Sequence, residues 1–155
     1  MKRFGRLANC GLMLVVTGCA SRIEYSPAGV YDKTKAEQIA RRFLEEQPAK
    51  YAPLQIEITP EKICLTRYRS KGDDIFGRGG REVPSRSTIY RDNIGSVELI
   101  YRHQWHMHHW YVARVYDKNG LLFTRAVSRD RTRAMEFLDA VVSLKSPPRA
   151  EGASR

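Results

Sequence analysis

Residues 110 to 128, WYVARVYDKNGLLFTRAVS, hold two runs of β-branched and aromatic residues around Asp117-Lys118-Asn119-Gly120. Asn-Gly tolerates the positive φ that a tight turn between strands demands, so the two runs fold back on each other as an antiparallel hairpin. Further strand-like segments precede them. LQIEIT (54–59) alternates, and KICLTRY (62–68) follows the break at Pro60 and Glu61. TIYRD (88–92) and GSVELIYRH (95–103) then lead into HWYVARVYD (109–117) and LLFTRAVS (121–128). Such a succession predicts an antiparallel sheet or small barrel of about five or six strands.

Helices flank this block. Thr34 with Glu37 three positions on predicts a capping box, and Ala36, Ile39, Ala40, Phe43 and Leu44 repeat at helical spacing up to Gln47, before Pro48. A second apolar stripe, Ala134, Phe137, Leu138, Val141 and Val142, predicts a helix over 130–145 that Ser146-Pro147-Pro148 ends. Segregated helices around an antiparallel block make the fold class α+β, with an N-terminal helix, the sheet, and a C-terminal helix. The expected single domain spans 32–146, with a disordered tail over 147–155. From IYRDNIGSVEL through WYVARVYDKNG to AMEFLDAVVSL, residues 88–145 resemble bacterial pleckstrin-homology-like domains. That resemblance implies an antiparallel barrel closed by a C-terminal helix, a plan in which the early helix has no place.

The first nineteen residues carry a different message. Lys2, Arg3 and Arg6 precede an apolar run from Leu7 to Val16, broken by Asn9 and too short to span a bilayer. Val16-Thr17-Gly18-Cys19 then resembles the lipobox of bacterial lipoprotein signals, departing from it at the first position, where leucine is commonest. The resemblance implies cleavage after residue 18, diacylation of Cys19, and a tether over 19–31. Ala20, in place of an aspartate, implies outer-membrane sorting with the domain in the periplasm.

Loss of the leader leaves 24 basic against 17 acidic residues, a formal charge of +7. Export makes nucleic acid an unsuitable partner for those charges and points to the membrane, through the lipid, and to an envelope protein. With Cys10 removed and Cys19 lipidated, Cys64 stands alone as a small buried hydrophobe, so no internal disulfide supports the domain.

Two clusters invite chemistry. All four histidines, His103, His106, His108 and His109, lie in HQWHMHHW, and neutral imidazoles are common ligands for copper or zinc. Strand alternation sets His106 and His108 on one face and His103 and His109 on the other. The segment RSKGDDIFGRGGREVPSR (69–86) reads as a long loop whose glycines and Arg78, Arg81 and Arg86 suit an anion such as a lipid head group or a glycan. It lacks the endings of a P-loop or a dinucleotide fingerprint, so no cofactor is expected. Arg129, Arg131 and Arg133 crowd the start of the last helix against its dipole.

Catalytic parts are sparse. Ser85, Ser87 and Ser96 lie in no Gly-x-Ser-x-Gly elbow, and the pairs Asp73-Asp74 and Glu45-Glu46 adjoin in sequence and do not face each other. The expected function is therefore a lipid-anchored, non-catalytic binding or structural domain of the envelope. The alternatives are metal binding through the histidines and anion binding through the 69–86 loop.

Overall fold

A computed structural model describes residues 20–70, 82–104 and 108–145. The leader with Cys19, the loop residues Arg78 and Arg81, His106 and the tail lie outside the described residues. The fold is α+β, with two helices and seven strands in two antiparallel sheets. In chain order these are β1 (Ala20–Ile23), α1 (Lys33–Glu45), β2 (Gln55–Ile58), β3 (Lys62–Ser70), β4 (Glu82–Tyr90), β5 (Ile94–Gln104), β6 (His108–Asp117), β7 (Leu122–Ser128) and α2 (Arg131–Leu144). One sheet has the order β1-β5-β6-β7 and the other β2-β3-β4.

The expected hairpin is present. Gly120 takes φ +78°, and the Asp117 carboxylate accepts from the backbone N–H groups of Asn119 (2.9 Å) and Leu121 (2.8 Å). An aspartate closing its own turn in this way holds the register of β6 on β7. Gly95 matters for a different reason. A Cβ there would stand 2.2 Å from the Asp117 carbonyl oxygen, so only glycine lets β5 pass the end of β6.

Four expectations are corrected. First, residues 20–31 are not a free tether. Ala20–Ile23 pair with β5 as an edge strand, from Ala20 opposite Arg102 to Ile23 opposite Leu99. The chain then crosses α2, where the Tyr25 hydroxyl donates to the Met135 carbonyl at 3.1 Å and the Ala28 N–H to Asp139 at 2.8 Å. The Tyr31 N–H donates to Ser143 Oγ at 3.1 Å.

Second, the antiparallel strands number seven, more than the expected five or six, because β1 is recruited from the N-terminal segment, and they divide between two sheets. Third, Glu37 is not part of a capping box. Asp32 caps α1 by accepting from the Lys35 N–H at 2.9 Å, while Glu37 pairs with Arg91, whose side chain is only 2% exposed. Fourth, the 69–86 segment is not a loop throughout, since β3 runs to Ser70 and β4 begins at Glu82. Pro84 sits inside β4, opposite Tyr68. Only an edge strand accepts a residue without an N–H, and β4 is the edge of its sheet.

A single core joins the layers. Leu99, Ala113, Val115 and Ala126 on one face of the four-stranded sheet meet Ala134, Phe137, Leu138 and Val141 of α2. Phe137 stacks on Phe43 of α1 at 4.6 Å between ring centroids, and Ile63, Leu65 and Ile89 bring in the second sheet. Cys64 is buried, with its sulfur 3.2 Å from Thr88 Oγ1.

Candidate anion-binding site

From Val97 on, past the register shift that follows Ile94, the odd-numbered residues of β5 and β6 turn to the core, and the even-numbered ones define the opposite face of the four-stranded sheet. Register aligns them in rows across the strands. Arg102 stands opposite Trp110, Ile100 aligns with Val112 and Val127, and Glu98 aligns with Arg114 and Arg125. The middle row is apolar, and Val112 and Val127 are buried. One flanking row pairs a cation with an aromatic ring, Arg102 with Trp110, and the other sets Arg114 and Arg125 beside Glu98. Lys50 and Tyr51, from the segment after α1, complete a cleft of about 260 Å³ over this face.

Gln47 fixes that last wall. Its side-chain amide donates to the Val127 carbonyl at 3.1 Å, and its oxygen accepts from the Val127 N–H at 2.7 Å. One buried side chain therefore satisfies both backbone groups of a residue on the free edge of β7 and pins the chain just before Lys50. Edge strands left bare invite pairing with other chains, so this plug also closes a liability.

The cleft's charge is unbalanced. Four cations line it, Lys50, Arg102, Arg114 and Arg125, and among the described residues no acidic one does. Glu98, beside the cleft, is shared among several groups. It accepts from the Tyr116 hydroxyl at 2.8 Å, lies 3.4 Å from Arg22 and stands 3.9 Å from Arg114. Lys50, Arg102 and Arg125 have no carboxylate partner among the described residues. Arg114 Nε is buried and finds no hydrogen-bond acceptor among them.

Arg67 of β3 adds a further cation near this group. It donates to Thr124 Oγ1 at 2.8 Å, yet its Nε and one terminal nitrogen are buried without partners among the described residues. Burial, and then the nearby Arg125 charge, lower its hold on the proton. A desolvated guanidinium next to another cation is costly unless an anion approaches.

Aromatic rings complete the chemistry. Arg125 lies over Tyr51 at 5.8 Å and Arg129 over Trp110 at 5.1 Å, both within cation–π range. Stacking of this kind holds a guanidinium plane in place while leaving its N–H groups free to bind. Arginine forks fit the paired oxygens of phosphate or carboxylate, so the lining suits an anion with some apolar body.

The residues singled out from sequence are distributed elsewhere. Arg86 lies in β4 and donates to Glu57 at 2.6 Å, so it serves the three-stranded sheet. His103 and His109 are direct cross-strand partners, with their Nδ1 atoms 3.2 Å apart and the Tyr101 hydroxyl 2.5 Å from His109. Of His108 only the backbone position, opposite Gln104, is described. No three His, Cys, Asp or Glu side chains converge as a metal site among the described residues. Among the three arginines at the start of α2, Arg129 joins Trp110 and Arg133 pairs with Glu46. Asp130 caps the helix between them, accepting from the Thr132 N–H at 2.8 Å.

Arg102, Trp110, Arg114 and Arg125 escaped the sequence reading although a signal was present. They occupy every second position of GSVELIYRH, HWYVARVYD and LLFTRAVS, where a solvent-facing strand position is ordinarily polar or charged. With nineteen arginines in the chain, their alignment appears only once register is known. Comparison with known protein families, characterised proteins and solved structures finds no match for the chain.

Proposed function

We propose that the protein is a lipid-anchored, non-catalytic domain of the bacterial cell envelope that binds an anionic group in the cleft of its four-stranded sheet. The anchor rests on the leader and the Val16-Thr17-Gly18-Cys19 box. One observation carries the binding reading: four cations and two aromatic rings line one cleft that, among the described residues, no carboxylate lines. Each charge-assisted hydrogen bond to a bound anion contributes about 1.5–3 kcal/mol, so two or three arginines suffice for specific binding. The lining of the cleft favours the sheet face as the anion site.

Pyrophosphate is a suitable soluble probe. Titrated into the membrane-extracted protein in neutral detergent, it raises the melting temperature, and the rise shrinks with added salt. Arg114→Gln combined with Arg125→Gln abolishes the rise without unfolding the domain. An equal rise in the double variant would remove the cleft from the function. Intact mass of the same extract tests the anchor separately, with a diacylated chain beginning at Cys19 expected and a chain retaining Met1 contrary to it.

A further inference from the structure

The register of β1 ties the cleft to the place where the chain enters the domain. Ala20 is the partner of Arg102, and Arg102 is the partner of Trp110. Ser128 ends β7 opposite Tyr111, and Arg129 follows it to lie over Trp110. One end of the sheet therefore carries Ala20, Arg102 and Trp110 side by side on β1, β5 and β6, with Arg129 just past the end of β7. Because residues 20–31 are hydrogen-bonded along β5 and α2, no slack separates residue 20 from this end. A lipid on residue 19 would then be attached one residue length, roughly 3.5 Å, from Ala20, whose neighbour across the strands is Arg102 of the first cleft row.

The geometry points to anionic phospholipid of the anchoring leaflet as the ligand of the cleft. This rests on the lipid anchor and on the cleft reading proposed above. Three features on this end favour a head group over a soluble anion. Trp110 is a ring suited to the boundary between head groups and acyl chains. Arg102 and Arg129 flank it and add attraction to an anionic surface. The apolar row of Val112 and Val127 behind them accepts the glycerol end of a lipid while Arg114 and Arg125 face its phosphate. The anchor supplies proximity and the cleft supplies selectivity, so the domain lies down on its own membrane where that membrane is anionic.

The test uses the native lipidated protein in vesicles, with Trp105→Phe leaving Trp110 as the one remaining tryptophan. Quenching of Trp110 by lipids brominated near the head group is compared between phosphatidylcholine alone and phosphatidylcholine with phosphatidylglycerol. Quenching is expected to rise with phosphatidylglycerol and to fall with salt. Arg102→Gln with Arg129→Gln weakens the response by about 25-fold in apparent lipid affinity, about fivefold for each cation. Arg102→Lys with Arg129→Lys restores most of it, and melting temperature confirms that each variant is folded. Equal quenching in both lipids, or an unchanged response in the glutamine variant, overturns the proposal. Pyrophosphate binding without any phosphatidylglycerol response does so too and leaves a cleft for a soluble anion. Loss of both responses in the folded wild type removes the cleft reading itself.

Discussion

At the scale of single residues, the buried Arg91 shows how far sequence position misleads about role. Its side chain is buried, its backbone N–H donates to the Glu61 carbonyl at 2.8 Å, and its charge is met by Glu37 from α1. Glu37 had the spacing of a capping residue, but an opposite charge inside the protein outweighs a cap at its edge. Breaking a buried pair by removing one partner leaves the other charge uncompensated and costs about 3–5 kcal/mol. Glu37 is about one-third exposed, so solvent relieves part of this. Glu37→Ala is expected to lower stability to urea by about 2–3 kcal/mol, whereas a loss within about 0.5 kcal/mol would show that Arg91 finds another partner.

Gly95 offers a second prediction at this scale. Its missing Cβ is what lets the Asp117 carbonyl approach, so Gly95→Ala must push backbone against backbone. Gly120 has φ +78° but open space around it, and alanine there meets only the left-handed strain of about 1–2 kcal/mol. Urea unfolding should therefore rank Gly95→Ala as the more damaging of the two. The reverse order would mean that β5 and the β6–β7 turn can separate easily.

Among the elements, the N-terminal segment departs furthest from expectation. Its composition, ASRIEYSPAGVY, gives no periodic signal, and its partners lie far along the chain in β5 and α2. Strands that pair with distant sequence carry no local turn to announce them. The hairpin at Asp117–Gly120 and the two helices were legible because apolar spacing and turn chemistry are short-range. Pro84 hid the start of β4 for a related reason, since a proline marks a loop unless the strand is known to be an edge.

The contact of the N-terminal segment with α2 predicts a pH response. Burial, and then Asp139 nearby, raise the Tyr25 phenol well above its ordinary value of about 10. The folded chain therefore holds that proton more tightly than the unfolded chain. Stability from Tyr25 is complete below about pH 10 and falls as pH rises further, because the unfolded chain ionises first. Tyr25→Phe should flatten this alkaline loss in urea titrations. An unchanged slope would place Tyr25 outside the folded contact with α2. Mild trypsin provides an independent reading, since a segment packed along β5 and α2 is cut at Arg22 only after unfolding, whereas a loose tether is cut there at once.

Over the whole molecule, two sheets and two helices share one core, and the cleft depends on parts that are remote in sequence. Its floor comes from β5, β6 and β7, and its wall is the segment after α1. The sequence shows the basic excess but cannot assign it to a face, since that requires the register of three strands and the path of the chain beyond Pro48. Gln47 is where scaffold and site meet. It bridges the end of α1 to the edge of β7, and it is buried at 8% exposure. Gln47→Ala would strand the Val127 N–H and carbonyl at that edge, an expected loss of about 1–3 kcal/mol. It would also release Lys50 and Tyr51 from the cleft. Pyrophosphate affinity should therefore fall along with melting temperature, while Gly120→Ala, remote from the cleft, lowers melting alone. If both variants reduced affinity equally at matched stability, the cleft would be following global stability. A selective effect of Gln47 would identify the α1–β7 bridge as the structure that builds the site.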